Sequence, residues 1–447
     1  MEKNLTTGSV FANTVLFSLP FLLSYFLQTL YGMADLFIIG RFDETASITA
    51  VAIGSQVMHM ITVMIVGLSM GTTVATARAI GGGRPDKAAK AAGNTATLFL
   101  IGSAAFSAIL VLCARSITAW LSTPPEAAAE TVQYLVICFA GIPFITAYNI
   151  ISAVYRGLGD SRSPMYFVAV ACLINIALDY LFIGGMDMGA AGAALATTLS
   201  QAISACTALA VIASGRSGLR PALADFKLKW ADVAPILRVG VPISLQDGFI
   251  QIAFIIITVI ANMRGLNDAA AVGIVEKLIC MLFLVPSSML SAVSALAAQN
   301  IGAKRYDRAQ QTLFYGILIS CGFAVLVIAG SELFAPQLLS LFDNNAEVIR
   351  SGCQYLRGYI LDALFVGIHF CFSGYFCACE HSGISFLHNS LSIILIRIPG
   401  SWLASSLYPD SLFPMGLAAP AGSLLSVIIC IAAFAVLEKR RRKRLNA

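Results

Sequence analysis

A chain of 447 residues that is 58% hydrophobic and 11% charged has about half the charged share of a soluble domain, which excludes water as its main solvent. The formal net charge of +5 gathers mostly in a C-terminal run of six basic residues at 439–444. No base-stacking aromatics or polar domain accompany that run, so it reads as a topology signal that touches anionic membrane lipid, not as a nucleic-acid site.

From the N-terminus, residues 1–8 are polar, and the apolar stretch behind them is long and carries Pro20, Gln28 and Asp35, unlike a short cleavable signal. No processing is expected. Taking glycines, prolines and charge clusters as punctuation, the sequence predicts spans near 14–38, 50–76, 92–113, 131–155, 164–184, 189–213, 236–261, 270–298, 312–334, 351–377, 385–407 and 415–437. A hydrocarbon core of about 30 Å needs roughly 20 helical residues. Stretches such as 244–261 and 422–437 are continuously apolar, as helices allow, where barrel strands would alternate.

The loops between these spans alternate in charge. One set holds Arg78, Arg84, Lys87 and Lys90, then Arg156 and Arg162, then Arg216, Arg220, Lys227, Lys229 and Arg238, then Lys304, Arg305 and Arg308. The other is short and mostly acidic: Asp43 and Glu44, Glu126 and Glu130, Asp187, Asp268, Asp343 and Glu347, Asp410. The positive-inside rule puts the basic set and both termini in the cytoplasm, with the chain multi-pass in the inner membrane. Eleven cysteines are scattered, with Cys371, Cys377 and Cys379 the one cluster, and read as packed thiols. Neither they nor His59, His369, His381 and His388 have metal-ligand spacing, so no metal or cofactor is expected.

The chain repeats itself at an offset of about 221 residues. Ala79 to Ala88 aligns with Asn300 to Ala309, Gln133-Tyr134-Leu135 with Gln354-Tyr355-Leu356 and, with one gap, Pro20 with Pro242. Each copy holds about six spans, an even number, so the copies are parallel repeats. The expected fold is all-α: about twelve transmembrane helices in two pseudo-symmetric six-helix bundles, an N-terminal lobe at 1–215, a cytoplasmic linker at 216–235 and a C-terminal lobe with the basic tail at 236–447. Two similar lobes can rock around a central site, which is a transporter's design. Gly81 to Lys87 lacks the end of a phosphate-binding loop, so energy is expected from an ion gradient, and no enzyme activity.

A charged side chain at a helix centre costs about 2.5–3.5 kcal/mol, so each intramembrane acid needs a reason. Asp35 lies late in the first span and Asp179 late in the fifth; both spans rise from the cytoplasm, which sets the two carboxyls at similar depth. They could share a cation or a proton, or form a static pair that fixes packing. Asn175 is four residues before Asp179 on the same helical face, and Thr197 lies about two turns below the outer end of the sixth span. These four are the candidate cation-coupling site. Asp247 with Gln246 and Gln251, Glu276 and Asp362 are the acids and amides of the second lobe, and Arg397 is expected to neutralise one of the acids. Aromatics such as Tyr25, Tyr31, Phe37, Tyr148, Phe254, Phe283 and Tyr375 could line a cavity for flat organic cations. Candidate substrate contacts are Gln28, Tyr31, Tyr148, Asp247, Gln251, Glu276 and Asp362. Prolines 20, 143, 242, 286 and 399 are expected to kink spans.

These residues resemble the multidrug and toxic compound extrusion (MATE) family, more closely its bacterial DinF-like branch. The resemblance rests on Pro20, Gln28 and Ala34-Asp35; Arg156-Gly-Leu-Gly-Asp160 before Pro164; Asn175-Ile-Ala-Leu-Asp179; and the run from Met188 to Thr197. The second half adds Val241-Pro242, the run from Ala271 to Lys277, Gln299-Asn-Ile-Gly302 and Arg397-Ile-Pro399. It implies export of organic cations and related amphiphilic toxic compounds in exchange for protons or sodium, with Asp35, Asp179, Asn175 and Thr197 as the cation site of the first lobe. The other bacterial branch carries a sodium-linked glutamate on the seventh span, where this chain has Ile250 beside Gln251, which favours protons over sodium. The partners expected are small-molecule substrates and membrane lipid, with no nucleic acid and a monomeric protein. An alternative within the superfamily is a flippase for lipid-linked precursors, or an exporter of another metabolite.

Overall fold

The computed structural model describes residues 4–214, 219 and 222–445; Arg216 and Arg220 of the basic loops lie outside the described residues. Among these the chain has no strand. The first half comprises α1 (Val10–Phe42), α2 (Thr45–Gly81), α3 (Pro85–Trp120), α4 (Pro125–Ala140), α5 (Ile142–Gly157), α6 (Arg162–Asp179) and α7 (Gly189–Ala213). The second comprises α8 (Trp230–Asn262), α9 (Leu266–Leu282), α10 (Leu284–Gly302), α11 (Tyr306–Ser340), α12 (Ala346–Tyr359), α13 (Asp362–Ala378), α14 (Ser382–Ser392), α15 (Ile398–Leu407) and α16 (Phe413–Leu445). Among the described residues, 10 spans are long and apolar enough to cross a membrane, and the bent pairs α4–α5 and α12–α13 bring the number to 12.

Those two pairs are the fourth and the tenth spans, the same place in each repeat, bent by 44° and 41°. In the first, Gly141 is followed by Pro143 in the opening turn of α5, where a missing N–H is harmless. The second bend has no proline. Gly358 there lies so close to α16 that a β-carbon would sit 2.5 Å from the Phe413 carbonyl, and α13 begins on Asp362, an acid well placed at the positive end of a helix.

The helices run past the spans expected from hydropathy, because hydropathy registers only the lipid-facing stretch. α3 begins at Pro85 and takes in Asp86, Lys87 and Lys90; α16 continues through the basic run, rooted by Arg441, which bridges Glu438 at 2.6 Å and stacks 4.9 Å from the Tyr306 ring.

The fold divides into two compact units. The first holds Met1–Gly8, Val15–Gly240 and Ala298–Arg305; the second holds Ser9–Thr14, Val241–Ala297 and Tyr306–Ala447. Hydrogen bonds account for the place of the short return segment in the first unit. Gln299 Nε2 donates to the Gly157 carbonyl at 3.0 Å, Gln299 Oε1 accepts from Leu5 N at 3.3 Å, and Arg305 donates to the Thr6 carbonyl at 2.7 Å. Each unit closes around its own core. Ile39, Val51, Tyr134, Leu135 and Phe139 fill the first; Val272, Val275, Tyr355, Leu356 and Tyr359 fill the second. Tyr134-Leu135 and Tyr355-Leu356 are the repeated residues, buried alike in both.

Between helices in lipid, close packing replaces the hydrophobic effect as the force of association, and small residues allow it. α2 accordingly buries Gly67, Ser69, Gly71, Thr72, Thr73 and Thr76, and the Thr73 hydroxyl donates to the Ala153 carbonyl on α5 at 3.2 Å. On the α5 side, a β-carbon at Gly157 would meet Thr76 Cβ at 2.6 Å and the Thr73 carbonyl at 2.9 Å. Gly157→Ala is therefore expected to destabilise the protein by about 1–3 kcal/mol, lowering its unfolding temperature in detergent. Gly102→Ala, whose methyl meets nothing within 4 Å, is the control, and equal melting of the two variants would refute the packing account.

Candidate functional site

One face of α1 carries Phe21, Ser24, Gln28, Tyr31 and Asp35, spaced three and four residues apart, which stacks them along a single helical stripe. At one end of the stripe Asp35 is buried, 3% exposed. It faces Asp179 and Asn175 from α6, and its Oδ2 accepts a hydrogen bond from the Thr197 hydroxyl of α7 at 3.2 Å. Asn175 and Asp179 share a face of α6 because they are one turn apart. Directly after Asp179 the helix widens into a π segment, Tyr180–Gly185, a distortion common where a side chain must be aimed.

This cluster is electrically unfinished. Asp179 is fully buried, and neither of its carboxyl oxygens has a hydrogen-bond partner; Asp35 Oδ1 and both polar atoms of the Asn175 amide are likewise unpartnered. No lysine, arginine or histidine pairs with either acid among the described residues. Two carboxylates so placed repel, and a proton or a cation between them turns that repulsion into attraction. The Tyr31 hydroxyl lies one turn along α1, within reach of Gln201 on α7.

At the other end of the stripe, a cavity of about 20 Å³ is lined by Ser24, Tyr25, Gln28, Tyr148, Ser152 and Arg156, among others. Arg156 is 8% exposed, counted from sequence among the loop cations but turned inward by α5. Its Nε donates to the Ser152 carbonyl at 3.2 Å, Nη2 reaches the Asn149 carbonyl at 3.5 Å, and the guanidinium stands 5.8 Å from the Phe21 ring centroid. An arginine has five N–H donors, and these acceptors use few of them.

In the second unit the acids are differently treated. Asp362 forms an ion pair with Arg397 at 2.6 Å, both buried, and the Tyr359 ring lies under the guanidinium at 5.9 Å. Arg397 closes a second π segment, Ile393–Arg397, in the eleventh span, where the first stands in the fifth. Glu276 Oε2 accepts from the Thr258 hydroxyl at 3.0 Å, while Oε1 is buried without a partner. Asp247, half-buried, lies beside Gln246 and Cys377; Gln251 is half-buried on α8. The His369 and His388 rings meet edge to face with centroids 5.4 Å apart, and His388 Nε2 is 3.1 Å from the Ser373 hydroxyl. No cluster of three or more histidine, cysteine or acidic side chains suited to a metal ion occurs among the described residues.

The structure thus brings Asp35, Asp179, Asn175 and Thr197 together, with Tyr31 beside them, and puts Gln28 and Tyr148 at the neighbouring cavity. It does not gather the second-lobe candidates into one group. Sequence reasoning missed Arg156, Gln201 and Thr258, whose signals are ordinary for a turn or a packed helix.

The MatE family profile matches this chain twice, over residues 20–181 and 242–403, two blocks that open on Pro20 and Pro242. YpnP of Bacillus subtilis (strain 168), named a probable multidrug resistance protein, is 30% identical over 407 residues, covering 90% of each chain. A protein named FAD transporter, from Shewanella oneidensis, is 25% identical over 421 residues, covering 92% of each. Among solved structures, an outward-facing multidrug resistance MATE family transporter superposes with a TM-score of 0.91 at 23% identity, over 97% of this chain and 98% of that one. A MATE protein in the straight conformation gives 0.88 at 23% identity, over 99% of both. Matched in each of its halves, the chain belongs to the MatE family, whose members are membrane transporters and not enzymes.

Proposed function

We propose that the protein is a secondary active exporter that exchanges protons, with sodium as the alternative ion, for organic cations or other amphiphilic toxic compounds by alternating access. The observation that carries this reading is the buried Asp35–Asp179 pair with its unpartnered oxygens and, among the described residues, no cationic side chain to balance it. Asn175 and Thr197 complete the ion site, and Gln28, Tyr31 and Tyr148 lie on the substrate side of it. Asp247, Gln251, Glu276 and Asp362 are the substrate contacts assigned to the second lobe. The lobes that rock are 1–215 and 236–447, joined by the linker 216–235, in a monomer without cofactor in the inner membrane, both termini in the cytoplasm and lipid around it. Relatives named as multidrug resistance proteins support a drug-like cargo. The relative named FAD transporter marks how far cargo varies among them.

Everted vesicles test the coupling. With sodium replaced by choline and the vesicle interior made acidic, uptake of a cationic dye is expected to persist and to collapse when a protonophore is added. Uptake that follows sodium and ignores the pH gradient would replace the proton by sodium; uptake indifferent to both would sink ion exchange altogether.

A further inference from the structure

We propose that the cavity beside the α1 stripe is an oxyanion site, in which Arg156 takes a carboxylate or phosphate group; this rests on the exporter reading and sharpens its cargo from simple cations to amphiphiles that carry an acidic group.

Three observations carry it. Arg156 is buried and meets no carboxylate among the described residues; its protein partners are two backbone carbonyls, one of them at the 3.5 Å limit. The cavity it lines has room for one or two water-sized groups, about the size of a carboxylate head, and its other polar walls are hydroxyls and amides: Ser24, Tyr25, Gln28, Ser152 and Ser161. Among the described residues no aspartate or glutamate lines it. The Ser152 Oγ, on the same helix one turn before Arg156, is itself buried with no hydrogen-bond partner. A guanidinium beside the uncommitted Ser152 hydroxyl, with no carboxylate on the cavity wall among the described residues, is a donor set that matches an oxyanion and repels a bare cation. The second unit shows how this chain treats an arginine whose charge is not offered to a ligand: Arg397 is closed off by Asp362 at 2.6 Å.

The position gives the site a use. Gln28 on its wall is one turn from Tyr31 and two turns from Asp35 along the α1 stripe, so occupation of the cavity and protonation of the acid pair act on one helix face. An oxyanion group at Arg156 would hold the acidic end of a zwitterionic cargo while the rest of the molecule extends away.

Two dyes that differ at this group provide the test. Rhodamine 110 carries a free carboxylic acid, and rhodamine 123 is its methyl ester. In phosphatidylcholine proteoliposomes under a pH gradient, Arg156→Gln is expected to lower the ratio of acid to ester uptake by about ten-fold or more, with Arg156→Lys recovering part of it. Adding about one-fifth phosphatidylglycerol separates the sources of the anion. If a lipid phosphate occupies the site, acid uptake by the wild type falls, and Arg156→Gln protein retains less phosphatidylglycerol when weighed by native mass spectrometry. An unchanged dye ratio together with unchanged lipid retention overturns the proposal. Should Arg156→Gln fail to reach the membrane, Ser152→Ala reports on the same cavity, and a ratio equal to the wild type there overturns it equally. Absence of gradient-driven uptake of the ester by the wild type would instead defeat the exporter reading, so the two failures are distinct.

Discussion

Asp35→Asn and Asp179→Asn proteins are expected to lose the ability to concentrate a cationic dye against its gradient. Asparagine keeps the size of the side chain and one acceptor oxygen but cannot exchange a proton, so the change removes the chemistry with little change of volume. A pH difference of two units makes each translocated proton worth about 2.7 kcal/mol, enough to sustain about a 100-fold dye gradient. Accumulation by either variant should therefore fall from that order to about one-fold. Thr197→Ala, which removes a 3.2 Å hydrogen bond to Asp35 and leaves both acids in place, should fall between wild type and the asparagine variants. Wild-type accumulation from Asp35→Asn or Asp179→Asn would show that the pair is a packing device.

The second large effect concerns stability. Arg397→Gln leaves the fully buried Asp362 carboxylate without its partner and also strips the nearby Glu276 of a positive neighbour. Breaking a buried pair from one side costs about 3–5 kcal/mol, whereas replacing both partners by apolar side chains of similar volume is close to neutral. Thermal unfolding in detergent should show a marked drop for Arg397→Gln and most of it regained in the Arg397→Met, Asp362→Leu double variant. A single variant as stable as wild type would contradict the assignment, as would a double variant no better than the single.

The spans and the duplication were legible because both are written in long-range regularities: runs of apolar residues, and motifs that recur such as Gln133-Tyr134-Leu135 and Gln354-Tyr355-Leu356. The meeting of Asp35 and Asp179 was legible too, because two helices rising from the same side place residues of equal sequence depth at equal height. Side-chain direction was not. Arg156 precedes the turn at Gly157-Leu158-Gly159 and reads as a loop cation, yet the α5 face it occupies points into a cavity. Arg397 called for an acid, and sequence could not choose among three, since the choice depends on the bend that begins α13 at Asp362. That bend, at Ile360-Leu361, has no proline to announce it, unlike its counterpart before Pro143. The π segments in the fifth and eleventh spans leave no mark in hydropathy, because an inserted residue changes the phase of a helix and not its composition.

The helices that outrun their apolar stretches have a consequence for where the protein can work. α2 has 37 residues and α11 has 35, which at 1.5 Å per residue is about 50–55 Å of rod against about 30 Å of hydrocarbon. The surplus turns stand among headgroups and water. A thicker or thinner bilayer thus changes how much of each rod is wetted, a mismatch of fractions of a kcal/mol per Å, before it strains the packing within either unit.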